Sequence, residues 1–293
     1  MTTFDARIHE QGYRRYDGPR LGVAHSVRSL ARHTFQRILG LRRPARYKIL
    51  PFLSVIIAYL PAAVFVGIVA LIPNGAQNAR ITYAQYYSFI TAAIFLFVTF
   101  VAPEALCPDR RWRSLSLYLA SPLNRTTYLL SKAIAIVGSL LLVTVGPLLV
   151  LLLGFVLQNR GPDGPGNVLL TFVRIFGGGL VMSLYFASIS MAISSITDRR
   201  AFAAAATFLL LLMSQALAGF FVFGINASQY FYLLSLTHNV VDLVQRFYGP
   251  RTFETGPPGV DLSTWSLVIT VTLTTALASL LVLWRYRRVQ VTR

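Results

Sequence analysis

Six long apolar runs alternate with short polar segments along this chain, and none carries an acid, a lysine or a histidine in its middle. A helix that crosses a bilayer needs ~20 mostly apolar residues, whereas a buried helix of a soluble domain is shorter or keeps a polar face. The pattern predicts six membrane-spanning helices, at residues 50–72, 86–106, 133–157, 174–196, 201–223 and 265–284. Pro61 in the first run and Gly146-Pro147 in the third predict kinks, because proline lacks an N–H and its ring crowds the carbonyl four residues back. Gly179, Ser183 and Ala187 recur every four residues in the fourth run, and small residues at that spacing let another helix approach closely.

The polar segments have a pattern of their own. Before the first run, Val23, Val27, Leu30, Ile38 and Leu41 recur at helical spacing with Arg28 and Arg32 on the opposite side. This predicts an amphipathic helix, ended near Gly40 and Pro44 and lying in the inner membrane interface. Between the fifth and sixth runs, residues 230–247 are amphipathic and aromatic, with His238, Asp242 and Arg246 interleaved. They predict one or two short helices outside the membrane or dipping into its outer leaflet, followed by a Gly- and Pro-rich loop. The fold class is thus an all-α membrane protein of six spans, with an N-terminal interfacial helix (residues 1–49) preceding a transmembrane domain (residues 50–293).

Charge fixes the expected orientation. The chain has 27 Lys and Arg against 10 Asp and Glu, a net charge of +17. A balance this basic invites a nucleic-acid reading, but all the cations except Arg80, Arg160, Arg174, Arg246 and Arg251 fall in segments that six spans place on one side. Loops retained in the cytoplasm keep Lys and Arg, so both termini are expected there, with the excess charge facing anionic lipid headgroups rather than nucleic acid. Arg174 opens its span close enough to the outer boundary to snorkel.

Several chemistries are missing. Both lysines, Lys48 and Lys132, follow Tyr47 and Ser131, so no Gly-Lys pair exists and no P-loop can cradle ATP. The four histidines, His9, His25, His33 and His238, lie outside the apolar runs, which excludes a haem or metal site built from facing intramembrane histidines. Spans free of ionisable groups argue against proton coupling. Cys107 is the only cysteine, so no intrachain disulfide forms.

The positive signal is the segment between the second and third runs. Glu104 closes the second run; Asp109, Arg110, Arg111, Trp112 and Arg113 follow; Leu115, Leu117 and Leu119 come next; and Ser121-Pro122 leads through Arg125 to Lys132. Trp112, Leu115 and Leu119 stand near helical spacing, so residues 110–119 are expected to form one short surface helix that offers aromatic and apolar groups to a cytoplasmic partner.

Glu104, the leucines at 115, 117 and 119, Ser121-Pro122, Arg125 and Lys132 resemble, in this order, the corresponding loop of ABC-2 family transporter permeases. Arg113-Ser114 stands where that pattern has Gly-Thr. The Gly12-Tyr13-Arg14-Arg15-Tyr16-Asp17-Gly18-Pro19-Arg20 segment resembles the amino terminus of a bacterial subgroup. The resemblance implies the membrane subunit of an ATP-driven exporter in a bacterial plasma membrane, paired with a second copy or a close paralogue. It implies two cytoplasmic ATPase subunits that bind ATP and Mg, with no cofactor, metal or catalytic residue on this chain. The expected ATPase-coupling residues are Glu104, Arg110, Arg111, Trp112, Arg113, Leu115, Leu119 and Arg125, with Asp198, Arg199 and Arg200 as a second contact. Glu104 is expected to pair with Arg125 or with an arginine of the amino-terminal helix. A membrane scaffold or assembly factor without an ATPase is the alternative of another class, and a gradient-driven carrier is a third. Spans offering Ser, Thr, Tyr and Phe suit a lipid, an amphipathic drug or a hydrophobic peptide better than a small ion.

Overall fold

The computed structural model describes residues 18, 21–41, 43–71, 82–112, 114–249 and 260–288. Among these the chain is helical throughout, with no strand, and six helices are long and apolar enough to cross a membrane. The segment at 12–20, apart from Gly18, and Arg113 lie outside the described residues.

Helix α1 (Val23–Ile38) is the expected amphipathic helix. Leu30, Ala31, Thr34 and Ile38 are buried while Arg28 and Arg32 are exposed. The buried face rests on the third span and on the end of the second, so the bundle itself covers it. Gly40 ends the helix at φ +68°, where the Leu41 N–H donates to the Gln36 carbonyl at 2.8 Å and the Gly40 N–H to Arg37 at 3.1 Å. This is a Schellman turn, and a Cβ on Gly40 would stand 2.6 Å from the Tyr47 carbonyl oxygen.

The first span is α2 (Ile49–Leu71), with Pro61 inside it. The second comprises α3 (Tyr83–Leu96), a π turn (Phe97–Val101), a 3₁₀ turn (Ala102–Ala105) and the short α4 (Cys107–Arg111). The even shorter α5 (Leu115–Leu119) lies in the connection to the third span. That span breaks into α6 (Arg125–Thr144) and α7 (Gly146–Leu157) at the expected Gly-Pro. The break frees the Leu142 carbonyl, which accepts a hydrogen bond at 3.0 Å from the Tyr59 hydroxyl of α2. A Cβ on Gly146 would stand 1.7 Å from that hydroxyl oxygen, so glycine is what admits it.

Helix α8 (Gly164–Ile196) runs through the middle of the bundle and packs on α6 and on α11 (Thr264–Arg288). Its small-residue stripe meets the α6–α7 break. Gly179 faces Val145, and the Thr144 hydroxyl lies 3.1 Å from that of Ser183 and 3.3 Å from the Gly179 carbonyl. The fifth span is α9 (Arg200–Gly219), extended by a π turn (Phe220–Gly224). Helix α10 (Leu236–Gln245), between two 3₁₀ turns, is a short helix where one was expected between the fifth and sixth spans. It is buried among α3, α8, α9 and α11, and Arg246 pins it by donating to Asp242, Thr264 and the Leu262 carbonyl. At this far end Arg174 is half-buried, lining a 580 Å³ cavity with Tyr83 and Tyr248.

Candidate functional site

At the opposite end, where α1 lies, α1, α4, α6, α9 and the 3₁₀ turn of the second span meet around two buried carboxylates. Glu104 comes from the 3₁₀ turn after the second span and Asp109 from α4. The Asp109 Oδ1 accepts from Arg37 of α1 at 2.7 Å, and its Oδ2 lies 2.6 Å from the Lys132 ammonium of α6 and 2.9 Å from the Tyr128 hydroxyl. Glu104 Oε1 accepts from Arg43 at 2.6 Å and lies 3.7 Å from Arg37 Nε, while Oε2 lies 2.8 Å from Arg200 of α9. Lys132 is wholly inaccessible to solvent.

The local sequence explains how these groups arrive. Pro103 and Pro108 break the second span into short turns, so its end bends instead of continuing straight. The Gly40 turn follows α1 directly, so that Arg37 before it and Arg43 after it both reach Glu104, and Arg37 reaches Asp109 as well. Lys132 lies two turns into α6, deep enough to lose all contact with water, and only a carboxylate with further hydrogen bonds makes such burial tolerable. Tyr118 and Tyr128 add their ring faces at 5.7 and 5.4 Å from the ammonium. Burial, and secondarily the Asp109 charge, push the Tyr118 phenol above its ordinary pKa, so it stays neutral.

The four cations outnumber the two carboxylates, so each acid is shared. Arg37 touches both, and through it the two halves of the cluster form one network. The network ties α1, the end of the second span, the start of the third and the start of the fifth into a single unit.

The other sequence-selected residues distribute around this unit. Arg125 does not reach Glu104; it donates to the Tyr286 and Arg287 carbonyls at 3.4 and 2.7 Å, satisfying the end of α11 where the helix dipole is negative. The single helix expected over 110–119 is two helices with a turn between them. That turn changes the exposed face. Trp112 and Leu117 are 76 and 75 % exposed, while Leu115 is half-buried against the core and Leu119 is also partly covered. Arg111 is exposed beside the Trp112 ring, and Arg110 is half-buried. Asp198 and Arg199 are exposed in the turn between α8 and α9, the Arg199 guanidinium over the Phe202 ring at 5.7 Å. Arg200 is the residue of that turn drawn into the network.

The arginine of the amino-terminal helix expected beside Glu104 is Arg37, at 3.7 Å, whereas sequence reasoning did not pick out Arg43, Asp109, Tyr128 or the pairing of Lys132. The available signal was composition: Lys132 is one of two lysines in an arginine-rich chain and stands at the head of a long apolar run.

Six apolar helices around a charged, buried junction at one end define a multi-pass membrane protein with a structured basic face. The model of the ABC-2 family transporter protein matches residues 102–291, from the turn that carries Glu104 to just beyond the last helix. The chain belongs to that family, and its class is therefore that of a transporter permease. No curated protein matches it.

Proposed function

We propose that this chain is the permease subunit of an ATP-driven exporter and that its basic end receives the power stroke of separate ATPase subunits. The observation that carries this reading is the pairing of an exposed apolar surface with a buried ionic junction directly behind it. Trp112, at the end of α4, and Leu117, on α5, stand outward. Asp109 and Tyr118 on those same helices are held by Arg37, Lys132 and the tyrosines of the bundle. A partner gripping Trp112 and Leu117 moves α4 and α5, and the ion pairs carry that displacement into the second, third and fifth spans. Such a push requires contacts that differ between two states of the partner, which nucleotide binding and hydrolysis supply.

In this reading the basic end is cytoplasmic, with residues 1–49 and the C-terminus on that side of a bacterial plasma membrane. Two ATPases carry the ATP and Mg, and a second permease copy or a close paralogue completes the pathway. Arg110, Arg111, Trp112, Arg113, Leu115 and Leu119 form or support one contact, and Asp198 and Arg199 the other; Glu104, Arg125 and Arg200 brace them. The cargo is a lipid or another amphipathic molecule.

The test is co-expression of the tagged chain with the ATPase encoded beside it, purification, and reconstitution into sealed vesicles. ATP-dependent movement of an amphipathic cargo and its loss in a hydrolysis-dead ATPase are expected. Full transport by the chain alone would overturn the reading.

A further inference from the structure

Next to the network, α2, the π turn and α4 of the second span, and α9 leave a groove of about 1020 Å³, at the upper end of the ~300–1,000 Å³ common for small-molecule sites. Its two halves differ in chemistry. Arg111, Arg199 and Arg200 stand at one end, offset by Asp198 in the lining and by Glu104 behind Arg200. The rest is apolar. Ala201, Ala204 and Ala205 follow at the i, i+3, i+4 spacing of one helix face, and Phe208 continues it a turn later opposite Leu50 and Phe100. Small side chains on α9 are what open the slot.

The position of the groove matters as much as its lining. Arg199 and Arg200 are at the first turn of a membrane-spanning helix, and Phe208 is two turns deeper. The cationic end therefore sits at headgroup depth and the apolar end at acyl-chain depth. Arg200 is preorganised: its Nη1 is 2.8 Å from Glu104 Oε2 and its Nη2 donates to the Phe100 carbonyl at 3.0 Å. A guanidinium fixed on two sides still presents donors in a planar fork suited to phosphate oxygens. Arg111 and Arg199 are exposed and free to close over the same anion.

We propose that this groove is a binding site for an anionic phospholipid of the leaflet at the basic end. The phosphate is held by Arg111, Arg199 and Arg200, and one acyl chain lies along the alanine face of α9 between Phe100 and Phe208. Because Arg200 also holds Glu104, the bound lipid touches the charged junction directly. The site shares Arg111 and Arg199 with the proposed partner contacts, but its test uses the permease alone and needs no partner.

The experiment is native mass spectrometry of the full chain in detergent, titrated with phosphatidylglycerol, phosphatidylcholine or the acyl-free headgroup glycerophosphoglycerol. Phosphatidylglycerol is expected to be retained about tenfold more tightly than phosphatidylcholine, since charge-assisted bonds to a phosphate without an offsetting choline are the stronger ones. The acyl-free headgroup is expected not to be retained, which separates a lipid site from a free-phosphate site. The Arg111→Gln/Arg199→Gln pair should abolish the preference. Ala205→Leu, which narrows the slot from an exposed position and keeps every charge, should weaken both lipids. Circular dichroism and thermal melting check that each variant folds. Equal retention of the two lipids by the wild-type chain, retention of the acyl-free headgroup as tight as that of the lipid, or an undiminished preference in the folded double variant would each overturn the proposal.

Discussion

The Lys132 ammonium lies 2.6 Å from Asp109 Oδ2 with no solvent access, at the point where the third span enters the bundle. Its partner is shared: Asp109 also holds Arg37 at 2.7 Å and accepts from Tyr128. The two residues are therefore not equivalent. Removing Lys132 leaves Asp109 paired with Arg37, whereas neutralising Asp109 strands Lys132 and leaves Arg37 only its longer 3.7 Å approach to Glu104. Losing one partner of a buried pair costs ~3–5 kcal/mol, much of it the penalty on the charge left behind. Asp109→Asn should accordingly destabilise more than Lys132→Met, and Asp109→Asn/Lys132→Met should recover part of the loss. Thermal melts of the purified chain in detergent measure the order. Equal costs for the two single variants would mean that Arg37 contributes nothing to holding Asp109.

Under the proposed function Glu104 transmits force between elements. It joins the turn after α1, the end of the second span and the start of the fifth through Arg43 and Arg200. Glu104→Gln keeps the volume and part of the hydrogen bonding while removing the charge. It should leave insertion near wild-type and reduce ATP-driven transport by at least about tenfold, equivalent to ~1.4 kcal/mol of coupling. Membrane yield and vesicle transport, measured on the same preparation, decide it. Parallel loss of both would assign Glu104 to folding alone.

The two exposed apolar side chains make a sharper test of the proposed partner-binding surface. Trp112 and Leu117 are exposed; Leu115 packs on the core. Trp112→Ala/Leu117→Ala should reduce ATPase co-purification by ~10–100-fold, the range expected when an aromatic anchor worth ~2 kcal/mol or more is truncated. The folded fraction should not change. Leu115→Ala should do the reverse, lowering thermal stability with a smaller effect on partner binding. Pull-down with the ATPase, paired with melting curves, separates the two. Retained ATPase binding in the folded Trp112/Leu117 variant would remove these residues from the interface.

The spans were legible because a bilayer imposes a long-range rule on sequence: apolar runs of fixed length, prolines at breaks, and arginines kept to one side. Gly146-Pro147 gives its kink away locally, and Arg28 and Arg32 mark the outer face of α1. The junction was not legible in the same way. Asp109 and Arg37 are 72 positions apart, and nothing in helical periodicity says that the Gly40 turn brings them together. The surface of the 110–119 segment was misplaced for a related reason. Trp112, Leu115 and Leu119 share a face only if the helix is continuous, and the turn after Trp112 rotates Leu117 outward in place of Leu115. The stripe of Gly179, Ser183 and Ala187 was visible, but its partner depended on where the third span breaks.

That partnership gives the last prediction. Gly179 faces the α6–α7 break so closely that a Cβ would stand 2.3 Å from Val145 Cγ2 and 3.2 Å from the Thr144 hydroxyl. Gly179→Ala must therefore push the fourth span away from the third, at a cost of ~1–3 kcal/mol for overpacking. It should also strain the Thr144–Ser183 hydrogen bond, now 3.1 Å. Val145→Ala removes the methyl group in the way, although alone it leaves a small void. The double variant Gly179→Ala/Val145→Ala should be more stable than Gly179→Ala, because the added methyl occupies the space that the lost ones vacate. A double-mutant cycle from detergent melting curves reads this as a favourable interaction of ~0.5–3 kcal/mol, the range for residues in direct contact. Strictly additive costs would mean that the two helices do not meet at these residues.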